Sequence, residues 1–291
     1  MTAMTEPYAA VDLPDVRALP YALGAEVSGV DLSQIMTDAQ FEVIESAFLK
    51  HHVLVFRNQP LTDEQHLEFA RRFGELEGHI NESTRHKKHD KVQVFSNVAN
   101  DGVATGAHPE RGTLFWHTDK SYVATPSLAT VLRSPAIASE GGDTLFANTH
   151  AAYNGLDADT QRKIDKLQAE HSWKRSREKS GERAATEDEI AAAPPVRHPV
   201  VRTHPVTGKK CLYIGLHASH IVGMDPDDGA ALLSELERQA TDERYVYRHK
   251  WQVNDVLIWD NRATLHCVTP YDAANERRSV HRVVVRGDTP F

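Results

Sequence analysis

From about residue 92 to the C-terminus the chain is written in short strand-like runs, and this pattern limits the fold more than any other feature. Residues 92–95, 128–132, 144–147, 211–214, 256–259 and 280–285 are rich in branched and aromatic side chains, and each run is bounded by Gly, Pro, Asn or Asp. Helical patterns interrupt them at roughly 150–168 and at 226–241, where Leu232, Leu233 and Leu236 share a face. Many short strands with irregular insertions predict a β-sandwich or jelly roll decorated by helices. The pattern leaves the strand order open.

The N-terminal quarter mixes helix and strand. Thr37-Asp38-Ala39-Gln40 and Thr62-Asp63-Glu64-Gln65 both fit capping boxes. Phe41, Ile44 and Phe48 follow the first, and Leu67, Ala70 and Phe73 follow the second, with Gly74 as the stop. Between them Val53-Leu54-Val55-Phe56 reads as a buried strand. Residues 1–20 read as an N-terminal extension. The charged stretch 174–196, with Pro194-Pro195 inside it, reads as a mobile insertion within one domain spanning 1–291.

Composition excludes several classes. A net charge of -8 argues against a nucleic-acid surface, which needs excess Lys and Arg. Two cysteines, Cys211 and Cys267, are too few for a disulfide framework. The first residues carry acids and prolines where a signal peptide needs a basic start, and no run approaches the ~20 apolar residues that span a bilayer. A cytoplasmic enzyme, with no membrane or nucleic-acid partner and a homo-oligomeric state, is expected.

The chemistry centres on Phe115-Trp116-His117-Thr118-Asp119. In an extended segment residues i and i+2 project to one side, so the His117 imidazole and the Asp119 carboxylate can converge on one ion. A third ligand must come from elsewhere, and His266 follows the strand-turn run Asp255 to Asn261. Two imidazoles and one carboxylate leave half of a six-coordinate sphere vacant, which suits non-haem iron(II); hydrolytic zinc keeps one open position. Taken alone, His-x-Asp in a chain with 17 histidines also fits an ordinary hydrogen-bonded pair.

Context separates the two. Trp116-His117-Thr118-Asp119, Gly141-Gly142-Asp143-Thr144, Trp259-Asp260-Asn261-Arg262 with His266, Arg278-x-x-x-Arg282 and Gly287-Asp288 occur in that order. Together they resemble the taurine dioxygenase / 2,4-dichlorophenoxyacetate dioxygenase family, from about Leu23 almost to Phe291. The resemblance implies a mainly β fold, a double-stranded β-helix (jelly roll) core flanked by helices. It also implies an iron(II) dioxygenase using 2-oxoglutarate and O2, with iron on His117, Asp119 and His266.

The co-substrate's distal carboxylate needs a cation, and Arg presents a planar fork that pairs with it bidentately. Alternation places Arg278 and Arg282 on one face of their strand, and Arg277 and His281 on the other. The family pattern assigns this role to Arg278, helped by Thr144. Because the gap from His266 to Arg278 is about one residue longer than the family's, Arg277 competes. Arg282, roughly 13 Å along the strand, matches the family's anchor for an acidic group on the primary substrate, and His79 its substrate-contacting histidine. Thr113 lies near the metal motif. His217 and His220 fit either the pocket or polar contacts in the core, and His204 either the pocket or a turn. The patch Arg85-His86-Lys87-Lys88-His89 reads as a solvated face, and the sequon Asn81-Glu82-Ser83 lacks a secretory context.

Ser96-Asn97-Val98 with Asp101-Gly102, and the stretches 213–220 and 247–251, resemble the aryloxyacetate branch more than the taurine branch. The implied substrate is a small anionic aryloxyalkanoate, giving a phenol, glyoxylate, succinate and CO2. The alternative is an alkylsulfonate releasing sulfite.

Overall fold

The computed structural model describes residues 12–80, 84–99 and 102–291. The first eleven residues of the expected extension, the Asn81-Glu82-Ser83 sequon and Asp101 lie outside the described residues. In chain order the elements are β1 (Asp15–Ala18), β2 (Ala25–Ser28), α1 (Asp38–His51), β3 (Val53–Phe56), α2 (Asp63–Arg71), β4 (Leu76–Glu77), β5 (Val92–Ser96), β6 (Ser127–Ala136), β7 (Thr144–Asn148), α3 (Thr149–Asn154), α4 (Ala158–Ile164) and β8 (Gln168–His171). There follow α5 (Trp173–Ser180), α6 (Glu187–Ala192), β9 (Val196–Pro199), β10 (Val201–Thr203), β11 (Lys210–Leu212), β12 (Ala218–Ile221), α7 (Pro226–Ala240), β13 (Val246–His249), β14 (Val256–Asp260), β15 (Thr264–Val268) and β16 (Ser279–Arg286).

Both expected capping boxes form. The Gln40 amide donates to Thr37 Oγ1 while the Thr37 amide donates to Gln40 Oε1, and Thr62 with Gln65 repeats the exchange. Each satisfies two backbone donors that a helix start would otherwise leave open.

The strands assemble a jelly-roll core. The large sheet runs β1-β2-β3-β14-β6-β16-β4, with β5 also paired to β16; the facing sheet runs β13-β7-β15. Within the large sheet only the β2–β3 pair is parallel. Alternation sorts its two faces. Leu54, Phe56, Val256, Ile258, Val283 and Val285 meet Ile44, Phe48, Leu67 and Phe69 of α1 and α2. Val53, Val55, Leu257, Trp259 and Val280 point the other way, onto Phe146 of β7. Burial on both faces is why β3 and β14 read as unbroken apolar runs, and each such side chain contributes roughly 1.5–3 kcal/mol. On its far side the small sheet packs Ala147 and Leu265 against α3 and α7 through Ala152 and Leu236. The reactive groups sit between the sheets.

One stretch differs from expectation. The helix expected over 150–168 is two helices separated at Gly155, where a Cβ would lie 1.8 Å from Tyr245 Oη, and Asp157 caps the restart. The charged stretch 174–196 carries α5 and α6, with Ser176, Arg177, Glu189 and Ala193 buried. Charge there is paired: Arg177 lies over the Trp173 ring at 5.0 Å, and Arg183 bonds Glu189. Within the expected N-terminal extension, β1 pairs antiparallel with β2. No helix among the described residues is long and apolar enough to cross a membrane.

Candidate active site

The strand following the β14–β15 turn places His266 directly opposite His117. Their backbones exchange two hydrogen bonds, at 3.0 and 2.8 Å, as an isolated antiparallel bridge. Residues opposite each other project to one side, so the two rings meet, centroids 4.1 Å apart. Asp119, two residues beyond His117, joins them on that side. His117 Nε2 lies 3.8 Å from Asp119 Oδ1, and His266 Nε2 lies 3.7 Å from Oδ2. The three residues are at most 6% exposed. These separations are too long for hydrogen bonds yet short enough for one ion to bridge.

The donors are in ligand form. His117 Nδ1 donates to the Phe115 carbonyl at 2.8 Å, which leaves the Nε2 lone pair facing Asp119. Burial holds both imidazoles below their ordinary pKa, His266 well below, and therefore neutral. Burial pushes Asp119 upward, but Arg282 and the two imidazoles outweigh it and hold the carboxyl below its usual range. Arg282 Nη1 donates to Asp119 Oδ1 at 2.7 Å, and Thr130 Oγ1 to Oδ2 at 2.6 Å. Asn261 joins this shell: its Nδ2 donates to Thr130 Oγ1, and its Oδ1 accepts the Asp119 amide and Trp259 Nε1. The residues fit a mononuclear iron with one face of protein ligands.

Beside the triad, Arg278, Thr144, Leu132, Trp259, Val268 and Val280 line a cavity. Arg278 is 4% exposed, whereas Arg277 is exposed, so only Arg278 reaches this space. Its Nε donates to the Gly142 carbonyl at 3.2 Å, and its buried Nη2 has no protein partner. Burial pushes the guanidinium down to about 10, with Tyr271 and Asp143 partly opposing. A buried cation with an open donor fits a ligand carboxylate. Thr144 Oγ1 accepts Trp251 Nε1 at 3.0 Å, which leaves its own hydroxyl proton to donate. Gly141 and Gly142 make the approach possible: both have positive φ (72° and 67°), and a Cβ on Gly142 would lie 3.0 Å from Arg278 Cδ.

A second cavity shares Phe95, Glu110, Thr113, His117 and Arg282 with the first. His79, Tyr122, Trp173 and His217 close it with rings. Tyr122 Oη bonds His79 Nε2 at 2.9 Å, and its ring lies 4.8 Å from both Trp173 and His217. Of the residues read from sequence as substrate contacts, His79, Thr113, His217 and Arg282 all line this space. Arg282 is more committed than expected: Nε and Nη2 donate to Gln93 Oε1 and Nη1 to Asp119, leaving two of its five N–H groups. His220 is exposed beside Ser219, and His204 bonds Asp260 at 2.9 Å, so neither reaches the cavity. Gln93, Thr130, Tyr122 and Trp173 were not signalled by any motif; only the inward phase of β5 and β6 hints at the first two.

A profile of the family described as "Taurine catabolism dioxygenase TauD, TfdA family" matches residues 15–284. The chain is 36% identical over 272 residues to the alpha-ketoglutarate-dependent 2,4-dichlorophenoxyacetate dioxygenase of Cupriavidus pinatubonensis, covering 91% of this chain and 94% of that one. It is 34% identical over 273 residues to the (S)-phenoxypropionate/alpha-ketoglutarate-dioxygenase of Sphingobium herbicidovorans, covering 92% and 93%. Among solved structures, AAD-2 in complex with Mn(II) and N-oxalylglycine superposes with a TM-score of 0.83 at 35% identity, covering 96% of this chain and 99% of that one.

Proposed function

The chain belongs to the TauD, TfdA family of iron(II)- and 2-oxoglutarate-dependent dioxygenases, and on that footing we propose that its primary substrate is a small aryloxyalkanoate. In this reading one domain spans the chain, His117, Asp119 and His266 hold the iron, and Arg278 with Thr144 holds the distal carboxylate of 2-oxoglutarate. Arg282, His79, Thr113 and His217 contact the substrate. The observation that carries the substrate class is the ring-lined cavity beside the triad: Phe95, Tyr122, Trp173 and two imidazoles suit a flat aromatic body, and Arg282 suits its acid group.

Bound iron and 2-oxoglutarate supply the oxidising chemistry, coupling oxidative decarboxylation to succinate and CO2 with hydroxylation of a substrate carbon. The chain's residues position and shield. Arg282 and Thr130 each occupy one Asp119 oxygen, which fixes the rotation of the carboxylate relative to both imidazoles. Arg278 holds the co-substrate at the far end of its cavity, so the keto-acid end is directed toward the triad. The sheets and the α5 segment exclude water around these groups. An acid group at Arg282 lies beside the metal's carboxylate ligand, which places the carbon next to that acid nearest the oxidant. Hydroxylation of an aryloxyacetate there gives a hemiacetal that collapses to a phenol and glyoxylate.

The test is anaerobic iron loading followed by oxygen uptake and succinate release, with 2-oxoglutarate present, across aryloxyacetates, aryloxypropionates, alkylsulfonates and alkyl sulfate esters. Aryloxy acids are expected to stimulate uptake most, with phenol formed in step with succinate. Stimulation by sulfonates or sulfate esters alone, with sulfite or sulfate released, rejects the aryloxyalkanoate assignment.

A further inference from the structure

A second group of imidazoles and carboxylates lies on the face of β16 turned away from the cavity. Asp63 at the start of α2 and His86 and His89 in the turn before β5 bring ligand-type atoms within 4.8 Å of one another. His86 Nε2 lies 3.5 Å from Asp63 Oδ2, and His89 Nε2 lies 3.1 Å from Glu64 Oε1. The two rings stack with centroids 5.3 Å apart and planes 16° from parallel. A tetrahedral ion with bonds of about 2.0–2.1 Å spaces its donors by about 3.4 Å, close to the 3.5 Å between His86 and Asp63.

The carboxylate is prepared as the iron's is. Asp63 Oδ1 is taken by Arg133 Nη2 at 2.5 Å and by His281 Nδ1 at 2.8 Å, so Oδ2 is the oxygen that faces His86. At the iron site Arg282 takes Asp119 Oδ1 in the same manner.

We propose that Asp63, His86 and His89, with one position left to solvent, form a second metal site, for zinc or another borderline divalent transition ion, which clamps residues 84–91 onto the start of α2. Two imidazoles and one carboxylate suit that class, and imidazole disfavours calcium and magnesium. A metal on His86 Nε2 moves the ring proton to Nδ1 and displaces the 3.3 Å approach of the Lys88 amide to that atom. Arg133, Lys87 and Lys88 add positive charge nearby, so binding is weaker than at a thiolate site. The clamped segment reaches the active site: Gln93 Nε2 donates to Thr84 Oγ1 at 2.9 Å, and the same side chain holds Arg282.

Metal-stripped protein dialysed against zinc and washed by gel filtration is expected to retain two equivalents in the parent chain. One is expected in H86Q/H89Q and one in H117A/H266A. Zinc is expected to raise the melting temperature of H117A/H266A but not of that variant carrying H86Q/H89Q as well. Cobalt(II) in H117A/H266A is expected to give the intense visible bands of a four-coordinate ion, absent when H89Q is added in the same background. A parent chain that retains one equivalent, or a second equivalent that survives H86Q/H89Q, overturns the assignment.

Discussion

Arg282 on β16 holds Asp119, the carboxylate of the His117, Asp119 and His266 cluster, through a 2.7 Å hydrogen bond from Nη1 to Oδ1, and Gln93 on β5 accepts two further bonds from the same guanidinium. The guanidinium thus orients the carboxylate of the candidate metal cluster while also lining the cavity beside it. Lysine is a point charge and cannot reach Gln93 and Asp119 with one planar fork. Arg282→Lys is therefore expected to weaken iron binding by roughly 10–100-fold, read by anaerobic iron titration. Gln93→Leu should reproduce part of that loss without removing the charge. Unchanged iron affinity in both variants counts against the positioning role.

Arg278 has a buried Nη2 with no protein partner, and Arg277 is exposed. Hydrogen bonds to charged groups are worth roughly 1.5–3 kcal/mol, so Arg278→Gln is expected to raise the KM for 2-oxoglutarate by about 10–100-fold. Iron affinity should stay near that of the parent, and Arg277→Gln should leave the KM unchanged. A raised KM in the Arg277 variant reverses the choice between the two.

The legible and illegible parts of this site divide on a physical line. His117 and Asp119 are readable because two-residue spacing in an extended segment forces convergence, and β16 is readable because alternation separates Arg278 and Arg282 from Arg277 and His281. The partner of Asp119 is not, because it depends on register across three strands: Val284 of β16 pairs with Thr130 of β6, and Arg282 with Gln93 of β5. Charge counting along 174–196 is blind to the setting of Arg177, which is buried on Trp173 between Glu110 and Glu182. The single helix expected over 150–168 fails at Gly155 because Tyr245, some ninety residues away in sequence (about 90), occupies the space of a Cβ.

Glu110 lines both cavities, and burial followed by the Glu182 carboxylate pushes it up to about 7 from 4.5, with Arg177 opposing. Between those two values the folded chain keeps a proton that the unfolded chain has lost, so this group makes stability fall as pH rises through the window. Glu110→Gln is permanently neutral and should lack that slope. Urea unfolding at a series of pH values is expected to show the variant level with its parent near pH 4, about 2–3 kcal/mol more stable near pH 8. An identical pH slope in the two proteins would show that Glu110 ionises freely.

Asp260 closes the turn between β14 and β15 that delivers His266. It is fully buried, accepts the Arg262 amide, Nε and Nη2 at 2.8–2.9 Å, and takes His204 Nε2 at 2.9 Å. Burial pushes the carboxyl up, yet Arg262 and His204 outweigh it and hold it far below the ordinary range. The stabilisation is therefore complete above the ordinary carboxyl pKa and is lost as pH falls toward the depressed folded value. Asp260→Asn leaves the Arg262 charge, 4% exposed, without its counter-ion, and removing one partner of a buried pair costs about 3–5 kcal/mol. The variant is expected to unfold at lower denaturant than its parent at pH 7, and to lose part of the parent's acid sensitivity. Because Thr264 Oγ1 also donates to the Asp260 carbonyl at the head of β15, slackening this turn should loosen His266 as well, and weaker iron binding at temperatures where the variant stays folded would show it. Parent-like stability would mean that solvent reaches Arg262 and replaces the lost carboxylate.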